Sequence, residues 1–137
     1  MQGLRIIFAF IYLFIDISYV LASQKTYAAV TKRIQGFDFP KGRLLGAVVA
    51  YAALTLGWFA FAAPTALQMV SKGTHPAVAG ALAGMLYGFV VYGVFNGTLY
   101  VMLQEWNVAI SMRDMLWGIT WASLATCMYA IVATKMK

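Results

Sequence analysis

Four runs of this chain are apolar on every side, and each is long enough to cross a bilayer. A hydrocarbon core about 30 Å thick needs about 20 mostly apolar residues per helix. Residues 6–22, 44–63, 77–103 and 115–134 meet that condition. Asp16 interrupts the first run, whereas the second and third contain no charge at all. The third is longer than a perpendicular crossing requires: at about 1.5 Å per residue it reaches roughly 40 Å, so it must tilt, kink or project. Helices are predicted rather than barrel strands, because barrel strands alternate polarity in blocks of about 10 residues. Isolated strands would also leave backbone groups unsatisfied in lipid.

Polar punctuation marks the ends of these runs. Phe39-Pro40-Lys41-Gly42 opens the second, with Asp38 placed to cap it, and Thr74-His75-Pro76 opens the third. Pro76 is predicted at the first helical position, where a missing N–H costs nothing. Ser111-Met112-Arg113-Asp114 has the form of a capping box, which predicts the start of the fourth helix there. Pro64 is predicted to end or bend the second helix, since it lacks a donor and crowds the preceding turn. The first run resembles a secretory signal in outline, but Asp16 breaks its apolar region, so it is read as a membrane helix.

The stretch 23–43 is the one long connection. It carries Lys25, Lys32, Arg33, Lys41 and Arg43, half of the chain's 10 Lys and Arg residues. Tyr27, Val30 and Ile34 form an apolar stripe beside those bases. The first helix is therefore expected to continue to about Ile34, or an interfacial helix to lie there. Those five bases are assigned to the membrane surface, where anionic headgroups are the expected partner. Topology follows from Lys and Arg placement. Lys25, Lys32, Arg33, Lys41, Arg43 and Arg113 share one side, and Arg5, Lys72, Lys135 and Lys137 the other, which favours external termini.

Composition sharpens this reading. The chain has 137 residues, 63% hydrophobic and 10% charged, with a formal charge of +6. So few charges cannot coat a soluble domain, where about a quarter of residues are charged. The excess of bases sits on no polar scaffold, so no nucleic-acid partner is expected. Aromatic residues at 15% exclude disorder, and the single Cys127 excludes an internal disulfide. One all-α, four-helix membrane domain spanning 1–137 is predicted, with its helices in an antiparallel bundle.

Three intramembrane polar residues are candidates for chemistry: Asp16, Asn96 and Asp114. A carboxylate inside a span costs several kcal/mol unless it faces other helices or water, so Asp16 is either a proton or cation site or a hydrogen-bonded packing residue. Asp114 is expected in the first turn of its helix, where free N–H groups and the dipole favour a carboxylate. Asp16-Ile-Ser-Tyr19 and Asp114-Met-Leu-Trp117 share a D-x-x-aromatic spacing, which puts each pair on one helix face. Gly80, Gly84 and Gly88, with Gly118 on the next helix, allow close helix approach in lipid. Trp106 is expected in the interfacial aromatic belt. His75 lacks Cys or acidic neighbours in sequence, so neither a metal nor a cofactor is expected.

Asp16 with Tyr19, Tyr92-Gly-Val-Phe95-Asn96-Gly-Thr98, Trp106 and Asp114-x-x-Trp117-Gly118 together resemble a known family. It comprises small four-helix membrane proteins of unknown function, found in bacteria, with relatives in large DNA viruses and their algal or protist hosts. The resemblance covers nearly the whole chain and is best in its last third. Members show D-x-x-W in the first helix and Y-D-x-T-N in the third. Here Tyr19 replaces the Trp, Phe95-Asn96 replaces Tyr-Asp, and Leu99 stands where Asn is expected. Loss of the third-helix acid, with glycines and helix ends retained, favours an architectural role.

The favoured function is thus a non-enzymatic structural or assembly role, with protein partners or further copies in the membrane. The resemblance adds one setting, the internal membrane of a large virus particle, where capsid proteins would be partners. The alternative is a small transporter or channel subunit using Asp16, with Asn96 and Asp114 beside it. An enzyme acting on lipid is the third option, and only isolated polar groups speak for it. A dry, partnered Asp16 would argue for packing, and an aqueous cavity around it for transport.

Overall fold

The computed structural model describes residues 2–36 and 44–136, and every regular element among them is helical. The protein is an all-α integral membrane protein with four helical spans. Lys41, Arg43, Asp38 and Pro40, to which surface and helix-start roles were assigned above, lie outside the described residues.

The first span is α1, Gln2–Ala22. It stops there instead of running on to Ile34. Ser23 forms a one-residue turn, its N–H bonded to the Tyr19 carbonyl at 2.9 Å, and a separate helix α2, Gln24–Gln35, follows. That helix is amphipathic: Val30 is buried, whereas Lys25, Lys32 and Arg33 are exposed. It ends at Gly36, whose φ of 76° is the left-handed C-cap conformation that glycine adopts without a Cβ penalty.

The second span is continuous through α3, Leu44–Gly57, a π-helical turn, Trp58–Ala62, and α4, Ala63–Ser71. Pro64 therefore does not end it. The turn ahead of the proline widens, with the Ala63 N–H on the Trp58 carbonyl, and the helix resumes with Pro64 in the first turn of α4. A widened turn absorbs the missing donor and the ring's clash with the carbonyl four residues back. It also places Trp58, which is fully buried, in the bundle core.

The third span is α5, Pro76–Met102, with Pro76 at its start and His75 as N-cap. Nδ1 of His75 accepts a hydrogen bond from the Ala77 N–H at 3.3 Å. The helix is unbroken, so tilt or projection takes up its excess length. The fourth is α6, Val108–Lys135, which begins well before the expected capping box. Asn107 caps it, Oδ1 accepting from the Ile110 N–H at 3.1 Å. Asn is as good an N-cap as Ser or Asp, and it comes first along the chain. Ser111 and Asp114 are consequently carried into the helix body, and Asp114 has no cap to make.

An antiparallel pair, α5 and α6, forms the centre of the bundle. A Cβ on Gly80 would meet the backbone of Thr126 and Cys127 at 2.5 Å, and one on Gly88 would meet the Gly118 carbonyl at 2.7 Å. Gly84 lies between them against the Ala122 carbonyl. Numbers rising on one helix meet numbers falling on the other, which sets the antiparallel register. In lipid such close approach is itself the attraction, because dispersion contacts replace a hydrophobic drive. Against this pair, α1 and the π-turn bring Phe8, Tyr12 and Trp58, which pack with Ala122, Ala125 and Tyr129. Trp58 Nε1 donates to Thr126 Oγ1 at 2.9 Å, so its polar edge is satisfied within the core. Outward faces carry exposed Leu45, Val48, Val49, Leu86, Val90 and Val94, as a bilayer solvent allows.

Candidate functional site

Two carboxylates are buried toward the same end of the bundle. Asp16 is six residues before the end of α1 and Asp114 six residues after the start of α6. At about 1.5 Å per residue, each sits roughly 9 Å inside its helix end. The antiparallel arrangement therefore puts both at one depth, on the side of α2 and of the α5–α6 turn. Both are buried, Asp16 at 3% exposure and Asp114 at 6%.

Each has its own donors. Asp16 Oδ1 accepts from the Tyr92 hydroxyl at 2.6 Å and from Trp117 Nε1 at 3.0 Å, joining α1 to α5 and α6. Asp114 Oδ1 accepts from the Tyr27 hydroxyl at 2.6 Å, which joins α6 to α2. Its Oδ2 accepts from Asn96 Nδ2 at 2.6 Å, and Asn96 Oδ1 accepts from Trp106 Nε1 at 3.2 Å. An indole N–H can only donate. The Asn96 oxygen must therefore face Trp106, and its amide nitrogen must face Asp114. The direction of every bond in this chain is fixed by that one fact. Burial raises the Tyr27 hydroxyl well above the ordinary phenol range, and its bond to Asp114 adds to the effect, so it remains a donor at neutral pH.

Aromatic rings enclose the network. Tyr19 stacks on Trp117 with centroids 4.2 Å apart, and Tyr27 stacks on Trp106 at 6.0 Å. From Trp117 the stack continues to Trp121, Tyr12 and Trp58, with centroid separations of 6.4, 6.4 and 6.0 Å. The shared D-x-x-aromatic spacing has a structural meaning here. The aromatic of the second motif donates to the acid of the first, and the two aromatics stack on each other. One turn along their helices, buried hydroxyls of Tyr12, Tyr19 and Ser111 have no hydrogen-bond partner.

Residues 4–131 match a family described as "Predicted membrane protein (DUF2177)". The chain belongs to DUF2177. Neither a curated protein nor a solved structure matches it. The family's description names no reaction, so the chemistry of this DUF2177 chain is read from its own network. The residues of the resemblance, Asp16, Tyr19, Tyr92, Asn96, Trp106, Asp114 and Trp117, are the ones this network brings together. The departure at Asn96 is accommodated within it: the amide supplies the donor that Asp114 needs.

Sequence position alone misplaced two things. Asp114 is a bundle-facing acceptor and not a first-turn cap, because Asn107 starts the helix earlier. Trp106 does not lie in a lipid-facing belt: it is buried at 7% exposure and covers Asn96. Tyr27 appeared only as part of an apolar stripe, and nothing in its spacing pointed to a carboxylate 87 positions away. The packing glycines stand at the α5–α6 contact, and Gly118 lies under the Tyr92 ring, so packing and network share a side chain. Of the surface bases, Lys25 and Lys32 are exposed on α2, and Arg33 lies 3.8 Å from Glu105 in an open ion pair worth little. Among the described residues, no group of three or more His, Cys, Asp or Glu could hold a metal ion.

One consequence concerns Trp106. Trp106→Phe keeps a ring on Tyr27 but strands the buried Asn96 oxygen. We expect a loss of about 1–2 kcal/mol in reversible unfolding from mixed micelles. An unchanged unfolding curve would show that the Trp106–Asn96 bond contributes nothing.

Proposed function

We propose that this DUF2177 protein is a non-enzymatic structural or assembly component of its membrane, working through stable association with further copies or other membrane proteins. The observation that carries the reading is the state of Asp16. Its carboxylate is buried and takes donors from two other helices, which is how a packing acid is accommodated in a span. Neither the groove at Thr26–Arg113 nor the one at Ile6–Phe59 is lined by Asp16. The apolar outer faces of α3 and α5 offer surface for partner helices as well as lipid.

Two measurements test this. Protein extracted with its surrounding lipid should run as a complex of constant stoichiometry by native mass spectrometry, and a freely dispersing monomer overturns the proposal. In liposomes, wild-type protein and Asp16→Asn should both pass protons and monovalent cations no faster than empty vesicles. Flux that depends on Asp16 would instead select the transporter reading.

A further inference from the structure

We propose that the groove between α2 and the first turns of α6 is a binding site for one anionic glycerophospholipid, with its phosphate on Arg113. The groove has a volume of about 220 Å³ and is lined by Thr26, Tyr27, Ala109, Ile110 and Arg113. That is below the roughly 300 Å³ at which enclosing ligand pockets begin, so it suits the phosphate–glycerol end of a lipid whose tails stay in the bilayer.

The charge is placed and held. Arg113 is exposed, its Nη2 donates to Ser23 Oγ at 2.9 Å, and its guanidinium lies 5.8 Å from the centre of the Tyr19 ring. These contacts orient the guanidinium but use few of its five N–H donors, leaving a fork suited to phosphate. Among the described residues the ion pair is Arg33–Glu105, so no carboxylate within 4.0 Å neutralises Arg113. Thr26 adds a hydroxyl to the same rim, and exposed Lys25 stands next to it on α2.

Depth and wall chemistry select a lipid over a soluble anion. At about 1.5 Å per residue, α6 is roughly 42 Å long, so about 6 Å extends beyond a 30 Å hydrocarbon core at each end. Arg113, five residues into the helix, is then at the hydrocarbon boundary, where phosphates and glycerol lie. Beside the guanidinium, on the headgroup side of Arg113, the Tyr27 ring, Ala109 and Ile110 form an apolar wall to the groove. Exposed Met112 and Leu116 continue it along the α6 face that carries Arg113, a path for an acyl chain. The exposed bases of α2 raise the concentration of anionic lipid at this side.

The test uses the full chain, delipidated in detergent and titrated with phosphatidylglycerol or phosphatidylcholine, bound lipids being counted by native mass spectrometry. Wild-type protein should hold one phosphatidylglycerol at least roughly tenfold more tightly than phosphatidylcholine. Arg113→Gln should lose that preference, whereas Lys25→Gln/Lys32→Gln should keep most of it. Ala109→Trp, at an exposed position, fills the groove with Arg113 intact and should lose the bound lipid while its far-ultraviolet circular dichroism stays native. Inorganic phosphate should not displace the lipid. Equal affinity for the two lipids, wild-type binding by Arg113→Gln, an equal loss in the α2 double variant, or displacement by phosphate each overturns the site. The site is independent of the assembly role: a monomer that binds phosphatidylglycerol in this way removes the assembly reading alone.

Discussion

Gly84→Leu should destabilise the protein by about 3 kcal/mol or more, the largest single-site effect expected here. A Cβ at this position has no room, because it falls on the Ala122 carbonyl and close to Thr126 Oγ1 at 2.7 Å. Backbone cannot move aside as a flexible side chain can, so α5 and α6 must separate. Separation breaks the close contacts at Gly80 and Gly88 as well, and these contacts are what hold helices together in lipid. It also disturbs the Trp58–Thr126 bond and the Tyr92–Asp16 bond, each of which has one partner, Thr126 or Tyr92, on the separating pair. Gly97→Leu on the same helix is the control. Nothing lies within 4 Å of a Cβ there, and leucine is the better helix former, so stability should hold or rise slightly. Reversible unfolding of both variants in mixed micelles checks the pair; similar losses would mean that the glycines do not set the interface.

The second large effect comes from reversing one hydrogen bond. Asp114→Asn should cost about 2–3 kcal/mol, although it changes the side chain's shape very little. Its new amide nitrogen either meets the Asn96 nitrogen, donor against donor, or turns toward the Tyr27 hydroxyl and takes away that acceptor. Asn96 cannot rotate to help, since its oxygen is held by Trp106, which can only donate. Asn96→Asp should also destabilise, because it removes the donor to the Tyr92 carbonyl at 3.0 Å and sets two buried acids face to face, which must then share one proton. The double variant Asn96→Asp/Asp114→Asn restores an acceptor for Trp106, a donor–acceptor pair between positions 96 and 114, and an acceptor for Tyr27. It should regain most of the loss, a coupling of about 2 kcal/mol in a double-mutant cycle. Additive losses would show that the order of bonds from Trp106 to Tyr27 is not what stabilises this end of the bundle.

These predictions give the network a definite physical role. Asp16 and Asp114 are tolerated in the membrane because every donor aimed at them comes from a different helix from their own. Removing an acceptor then loosens contacts between elements, in contrast to an i, i+4 bond, which stays within one helix. Unfolding is the direct readout for that reason. The stacked rings from Tyr19 to Trp58 add to the effect by tying the network to the core near the centre of the bundle.

The number of spans, their helical nature and the start at Pro76 were written in local pattern. Apolar runs of bilayer length leave the backbone no other way to satisfy itself, and proline at a first helical turn is a local preference. Close packing through Gly80, Gly84, Gly88 and Gly118 was legible too, because four-residue spacing places small residues on one face whatever the partner. Local pattern failed at one helix start. Ser111-x-x-Asp114 predicted the helix start, and only the folded chain shows that Asn107 starts it a turn earlier. Pro64 predicted an end or a bend, and only the folded chain shows that the turn ahead of it widens and the helix continues.

Tertiary structure alone decided what the polar residues do. The sequence established that Asp16 had to be paired or wet, since a bare carboxylate in hydrocarbon is too costly, but it contained no statement of which. Tyr92 and Trp117 reach it from positions 76 and 101 residues away, and Tyr27 reaches Asp114 across 87. Periodicity specifies which face of one helix a residue occupies. It does not specify which two faces meet, because helix rotation and register in a bilayer are set by interlocking small residues and by the few polar groups that must find each other.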